Sequence, residues 1–219
     1  MKTIVSKYLH KYSHWRQHII NERNRARLTN YTPTLICSNC VGGILYHWLG
    51  LKFYSPFINL YMDNNDFLTA LENFDEFIAG KIVEDTNPNN KYPIGIGIHG
   101  EKIHFMHYPD FQTAISKWNE RKERIDKSNM GIMLTNFGIG IASDETNNGG
   151  IIERFNKLPF KHKKIFSGED INNRDIVYLK GYNKVRAYKN INRTQNILSG
   201  ERYIDQFDYV NFINGLKYN

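Results

Sequence analysis

The chain has 219 residues, 41% of them hydrophobic and 14% aromatic, which is enough to bury a core and argues against global disorder. Its formal charge of +7 favours acidic partners such as anionic lipid headgroups, phosphate-bearing compounds or acidic sugars. No apolar run approaches the ~18 residues that span a bilayer. Residues 1–15 lack the apolar segment of a secretory signal, and two cysteines make no disulfide scaffold, so a reducing cytoplasm is the expected compartment.

Taken from the N-terminus, residues 1–30 read as a basic amphipathic helix preceding a single α/β domain over 31–219. Between Lys7 and Arg27 there are six Lys or Arg residues, three histidines and a single acid, Glu22. Tyr8, Tyr12, Trp15 and Ile19 recur at spacings of four, three and four, which makes one apolar helix stripe. Such a stripe is expected to pack on the domain, with the basic face in solvent. The same composition also suits peripheral contact of residues 1–27 with the inner membrane face. No nucleic-acid reader motif accompanies the charge, so nucleic acid is not an expected partner.

Pro33 opens a short strand, Thr34 to Cys37, and Gly42-Gly43 leads into a helix that stops at Gly50. "PFINLYM" (56–62) reads as a second buried strand. Asp63 or Asn64 then caps one helix over "NDFLTALENFDEFIAG", with Phe67, Leu71, Phe74 and Ile78 on one face. Residues 86–93 form a loop, and "IGIGIHGEKIHFMHY" reads as a β-hairpin. Asp110 caps a long charged helix. "MGIMLT" (130–135) is a strand followed by a Gly/Asn/Ser-rich loop and a short helix, "GIIERFNKL". "KKIFSG" and "DIVYLKG" are late strands, and "DQFDYVNFIN" is a terminal helix. Strands alternating with helices imply a layered, mostly parallel, Rossmann-like sheet with a hairpin interruption. Ligands of such sheets gather at the C-terminal strand ends, which points to Ser38–Gly43, Asp63, the end of the 101–108 strand and the loop after Thr135.

Three motifs are decoys. "GIGIHG" (95–100) matches a dinucleotide-binding string, but a strand follows it where phosphate recognition requires a helix N-terminus. His104 and His107 in "HFMH" point to opposite faces of a strand and cannot chelate one ion there, and with Cys37 and Cys40 they fit no compact zinc spacing, so no metal is expected. Cys37-x-x-Cys40 has thiol-redox spacing, yet Cys37 ends a buried strand, where cysteine serves as a small hydrophobe. Cys40 differs, because a helix N-terminus there would lower a thiol pKa.

Several stretches resemble a bacterial family of uncharacterised proteins attached to exopolysaccharide and capsule biosynthesis. They are "SNCVGGILYHWLGLKFYSPFINLYM", "KIHFMHYPDFQTAISKWNERKERI", "IERFNKLPFKHKKIF", "YLKGY" and "GERYIDQFDYVNFIN". The resemblance runs from about Leu35 to the C-terminus. That family's first motif typically reads Ser-Asn-Asn-Cys-Trp-Gly-Gly; Asn39, Cys40, Gly42 and Gly43 match it, while Cys37, Ser38 and Val41 depart from it. Its polar, often acidic stretch after the 130–135 strand is Asn136-Phe-Gly here. The resemblance implies surface-polysaccharide biosynthesis as the pathway, with a carbohydrate or lipid-linked glycan as substrate.

Three activities fit that setting. In the first, Cys40 or Ser38 attacks an acyl donor such as acyl-coenzyme A, Gly42 and Gly43 supply an oxyanion site, and His107 or His104 is the base for transfer to a sugar hydroxyl. His107 is the better base on strand alternation, since it shares a face with Ile103 and Phe105. His47 lies two helical turns from Cys40, too far to be its direct base, and is left a substrate-side role. In the second, Ser38, Asn39, Gly42 and Gly43 cradle the phosphates of a nucleotide-sugar and Asp63 holds its ribose. The third is a glycan-binding or assembly protein without catalysis. A transferase, acyl before glycosyl, is the expectation.

Overall fold

The computed structural model describes residues 2–87, 89–135, 150–182 and 191–217. In chain order the elements are α1 (Lys2–Arg27), β1 (Thr34–Cys37), α2 (Val41–Leu49), α3 (Asn64–Glu72), α4 (Phe74–Ala79), β2 (Val83–Glu84), β3 (Ile94–Ile96) and β4 (Lys102–His104). They continue as α5 (Phe111–Lys122), β5 (Met130–Thr135), α6 (Ile151–Lys157), β6 (Lys163–Ser167), β7 (Ile176–Tyr178) and α7 (Tyr209–Gly215). Strands β1, β5, β6 and β7 form one sheet in that order, and every neighbouring pair is parallel. Strands β2, β3 and β4 form a separate antiparallel sheet. The expected α/β fold with a mostly parallel sheet and a hairpin interruption is thus observed.

The alternation of side chains along the strands divides the molecule into two cores. Ile36, Ile132, Leu134 and Ile165 enter a core that also takes Phe67, Leu71 and Phe77 from α3 and α4, Trp118 from α5 and Phe155 from α6. Leu35, Cys37, Met133 and Phe166 enter the other, with Leu45 and Tyr46 from α2 and Val210 and Ile213 from α7. The sheet is therefore covered on both faces, which is why its strands read as nearly continuous apolar runs. Gly50 ends α2 in a left-handed conformation, φ 69°, which a residue without Cβ adopts at little cost. Asp110 caps α5 by accepting from the Thr113 amide at 2.7 Å.

Three expectations are corrected. Residues 56–62 are buried at Phe57, Ile58, Leu60 and Met62 but form no strand. Asn59 sits at φ +59° and breaks the extended run, so that only Tyr61 pairs, through an isolated bridge to His104. The helix expected to run to Gly80 divides at Asn73, whose backbone leaves the helical region. The third concerns α1, whose orientation is the reverse of the expected one.

Helix α1 docks through polar residues. Gln17 donates to Thr194 at 2.8 Å, Arg202 donates to Asn21 at 3.0 Å, and Asn24 donates to the Tyr209 hydroxyl at 2.6 Å. Ser13 is 4% exposed, whereas Tyr8, Tyr12 and Trp15, the stripe expected to pack inward, are 69, 44 and 54% exposed. Hydrogen-bonding partners on the 191–209 segment, rather than an apolar groove, set the rotation of the helix.

Candidate functional site

A cavity of about 700 Å³ opens at the C-terminal end of β1, where ligands of parallel sheets are expected. Asn39, Cys40, Val41 and Ile44 line it together with Tyr61, Tyr92, His104, Met106 and His107. Ile191 and Asn192 complete the lining. The bond from the Ile204 amide to the Ile191 carbonyl, 3.0 Å, ties this last segment to a short 3-10 helix at Tyr203–Gln206.

The turn from Ser38 to Gly43 is held by its own hydrogen bonds. The Ser38 hydroxyl is fully buried and accepts from the Thr135 amide at 3.0 Å, while its backbone bonds Met133 and Met62. The Asn39 side chain accepts from the Val41 amide at 2.9 Å. The Gly42 amide is directed at the Cys37 sulfur. Of the amides near the expected oxyanion site or phosphate cradle, that of Val41 is thus taken up by Asn39. Ser38 is likewise corrected as a nucleophile: it joins β1 to the end of β5 and does not reach the cavity. The glycines serve close packing. A Cβ at Gly42 would stand 2.8 Å from the Cys37 sulfur, and one at Gly43 would stand 3.2 Å from Ile58.

Cys40 does line the cavity, yet its thiol donates to the Leu60 carbonyl at 3.6 Å, and burial pushes its pKa up. Burial of the thiolate thus works against the activation expected from the helix N-terminus. Cys37 is fully buried and its thiol is pushed up further still by burial. Of the two cysteines, only Cys40 lines the cavity.

The histidines exchange places. The chain turns out of the sheet directly after His104, through bonds from Met106 to the His104 carbonyl and from Tyr108 to the Phe105 carbonyl. Strand alternation therefore stops, and His104 and His107 line the same cavity instead of pointing apart. His107 is exposed at the rim. His104 is the enclosed one: both of its ring nitrogens are buried and have no hydrogen-bond partner among the described residues. Its ring lies against Tyr61, centroids 4.9 Å apart, and edge-on to Tyr92 at 5.8 Å. Burial lowers its pKa, more than the neighbouring Asp63 and Asp66 raise it, so the imidazole is neutral at pH 7.

Asp63 is exposed, accepts a hydrogen bond from the Tyr61 hydroxyl, and stands at the N-cap position of α3 without a side-chain cap bond. It acts on the site through Tyr61 and the field at His104. His47 is exposed on α2 and is not among the cavity residues. Tyr61, Tyr92, Met106, Ile191 and Asn192 went unread in the sequence; the one signal was an aromatic, Tyr92, standing before Pro93 in a polar loop. Asn136 and its neighbours lie outside the described residues.

Among the described residues no group of three or more His, Cys, Asp or Glu is arranged to hold a metal ion, and no helix is long and apolar enough to cross a membrane. An uncharacterised protein of Haemophilus influenzae is 35% identical over 196 residues, covering 89% of this chain and 90% of the relative. A family model described as a domain of unknown function, DUF1919, matches residues 11–214, which takes in most of α1 as well as the sheet and the cavity, and the chain belongs to that family.

Proposed function

We propose that the protein is a transferase of bacterial surface-polysaccharide biosynthesis that moves an acyl group to a sugar hydroxyl, with His104 as general base. The observation that carries the reading is an enclosed imidazole on the cavity wall whose two ring nitrogens have no hydrogen-bond partner among the described residues. The pathway comes from the resemblance of the 38–62 and 102–125 stretches. Tyr61 and Tyr92 offer ring faces and edges to a pyranose, and Asn39 and Asn192 offer amides to its hydroxyls. In the reaction, His104 takes the proton as the sugar oxygen bonds the acyl carbon, the carbon–sulfur bond of an acyl-coenzyme A breaks, and His104 returns the proton to the departing thiolate. Cys40 is a wall of the cavity, not the attacking group. The Val41 amide, held by Asn39, is one donor fewer for the phosphates of a nucleotide-sugar, which favours this reading over that donor. The acceptor is a carbohydrate or lipid-linked glycan, met on the cytoplasmic side of the inner membrane.

The test is the surface polysaccharide made by a deletion strain complemented with wild type or His104→Gln. The expected result is a glycan with its backbone intact and its O-acyl esters missing in both the deletion and the variant. A general base contributes roughly 10²–10⁴-fold in rate, enough to empty the acyl sites. A truncated backbone would point instead to glycosyl transfer, and wild-type esters with His104→Gln would refute the assignment of the base.

A further inference from the structure

The reversed orientation of α1 leaves Tyr8, Tyr12 and Trp15 of its apolar stripe uncovered by the described residues, while Ile19 is half-buried. Ser13, Gln17, Asn21 and Asn24 share the face turned to the body, each four or three residues from the next. Tyr8, Tyr12 and Trp15 fall within about 60° of one another at 3.6 residues per turn and face away. Tyr12 and Trp15 pack ring on ring, 5.6 Å between centroids. The 196–200 loop lies against the same stretch: the Ser199 carbonyl accepts from Arg16 at 3.3 Å, and Leu198 beside it is 64% exposed. Of the nine large hydrophobic residues exposed among the described residues, these four belong to this one region. Scattered exposed aromatics are ordinary, but an ordered stripe at helical spacing on a helix buried by its polar face is an interaction surface.

Charge selects the occupant. Lys7, Lys11, His14 and His18 are exposed on the flank beside the stripe, and no acid occurs before Glu22. Tyrosine and tryptophan with adjacent lysines suit the headgroup layer of a bilayer, where the ring body is apolar, its polar edge is wet and the ammonium meets lipid phosphate. We infer that the outer face of α1, from Lys7 to His18, lies on an anionic membrane surface and holds the domain there as a peripheral protein. The inference stands on α1 alone and is independent of the chemistry in the cavity.

The experiment is flotation of the full chain with vesicles of phosphatidylcholine alone and of phosphatidylcholine mixed with phosphatidylglycerol. Binding is expected only to the mixed vesicles and to weaken with salt. Reversing two charges with Lys7→Glu and Lys11→Glu should lower the partition coefficient by more than about 30-fold, at the usual contribution of a lysine near such a surface. Tyr8→Ser, Tyr12→Ser and Trp15→Ser together should lower it by roughly tenfold or more, with circular dichroism unchanged because the docking residues are untouched. Brominated lipid should quench tryptophan emission in wild type and not in Trp15→Phe. Absence of vesicle binding, or binding that survives both sets of substitutions, overturns the inference. So does a wild-type dimer in sedimentation that the triple substitution dissolves, since the stripe would then be covered by a second copy. Retention on nucleic acid in place of lipid would overturn it equally.

Discussion

Gly42→Ala separates a packing glycine from a ligand-binding one. The added Cβ would stand 2.8 Å from the Cys37 sulfur and 3.3 Å from its Cβ, closer than atoms of a folded interior approach. Cys37 is fully buried at the end of β1, between the α2 turn and β5, so the sulfur has no free direction in which to move. Overpacking of this kind costs about 1–3 kcal/mol. Against it stands the helix preference of alanine over glycine, at most ~1 kcal/mol and less in a first turn. The net expectation is a loss of about 1–2 kcal/mol in urea unfolding, with an unchanged m-value. Removing the sulfur tests the cause. In a Cys37→Ala background the clash is gone, and Gly42→Ala should become neutral or slightly stabilising, a coupling on the order of 1–2 kcal/mol in the double-mutant cycle. If Gly42→Ala stabilises the wild-type protein, or costs the same in both backgrounds, the packing account is wrong and the glycine is kept for another reason.

Arg202, with its side chain 1% exposed, grips Asp205 through two nitrogens, donates to Asn21 and stacks on Trp48 at 3.5 Å; Arg202→Ala should cost about 3–5 kcal/mol in thermal unfolding, and Asp205→Ala a similar amount. The lowered pKa of His104 means that the unfolded chain binds the extra proton first, so stability should fall as pH drops through the ordinary value of 6.5 and level off below the depressed folded one; His104→Gln should flatten that part of the pH–stability curve. The acid limb of the activity profile should correspondingly lie below 6.5, since the base stays neutral until then. Iodoacetamide at neutral pH should modify Cys40 slowly and Cys37 only after unfolding, and Cys40→Ser should retain acyl transfer; rapid alkylation of Cys40 together with loss of transfer in Cys40→Ser would restore a thiolate mechanism.

The legible parts of the sequence were those fixed by short-range rules. Thr34–Cys37 and Met130–Thr135 read as strands because a sheet covered on both faces leaves an apolar run in each. Gly50 and Asp110 read as helix ends because a left-handed cap and an N-cap carboxylate have distinct residue preferences. What failed depended on a single backbone angle or a distant partner. Asn59 at positive φ turns an apolar run that looks like a strand into buried coil. The facing of α1 depends on Thr194, Arg202 and Tyr209, which lie about 180 residues away and carry no signal within the helix itself. The cavity shows the same division. Asn39 and Cys40 were found from their place after β1, whereas Tyr61, Tyr92, Ile191 and Asn192 reach it from irregular segments that no periodicity marks.

The Cys37–Gly43 turn shows how a motif that looks catalytic is consumed by the fold. Cys37 fills a buried site, Ser38 satisfies the Thr135 amide, Asn39 satisfies the Val41 amide, and the glycines let α2 approach Cys37 and Ile58. A turn pinned by such bonds and close contacts is rigid, and rigidity is what a cavity wall requires. The proposed chemistry is placed instead where the chain leaves β4. There the departure from strand geometry puts two histidines on one side, and the isolated Tyr61–His104 bridge fixes the more enclosed of them from both neighbouring directions. A buried imidazole lacking a partner costs free energy unless something else offsets it. On the proposed reading the offset is a ligand whose hydroxyl replaces the missing hydrogen bond, so the same two nitrogens that weaken the empty protein would favour the occupied one.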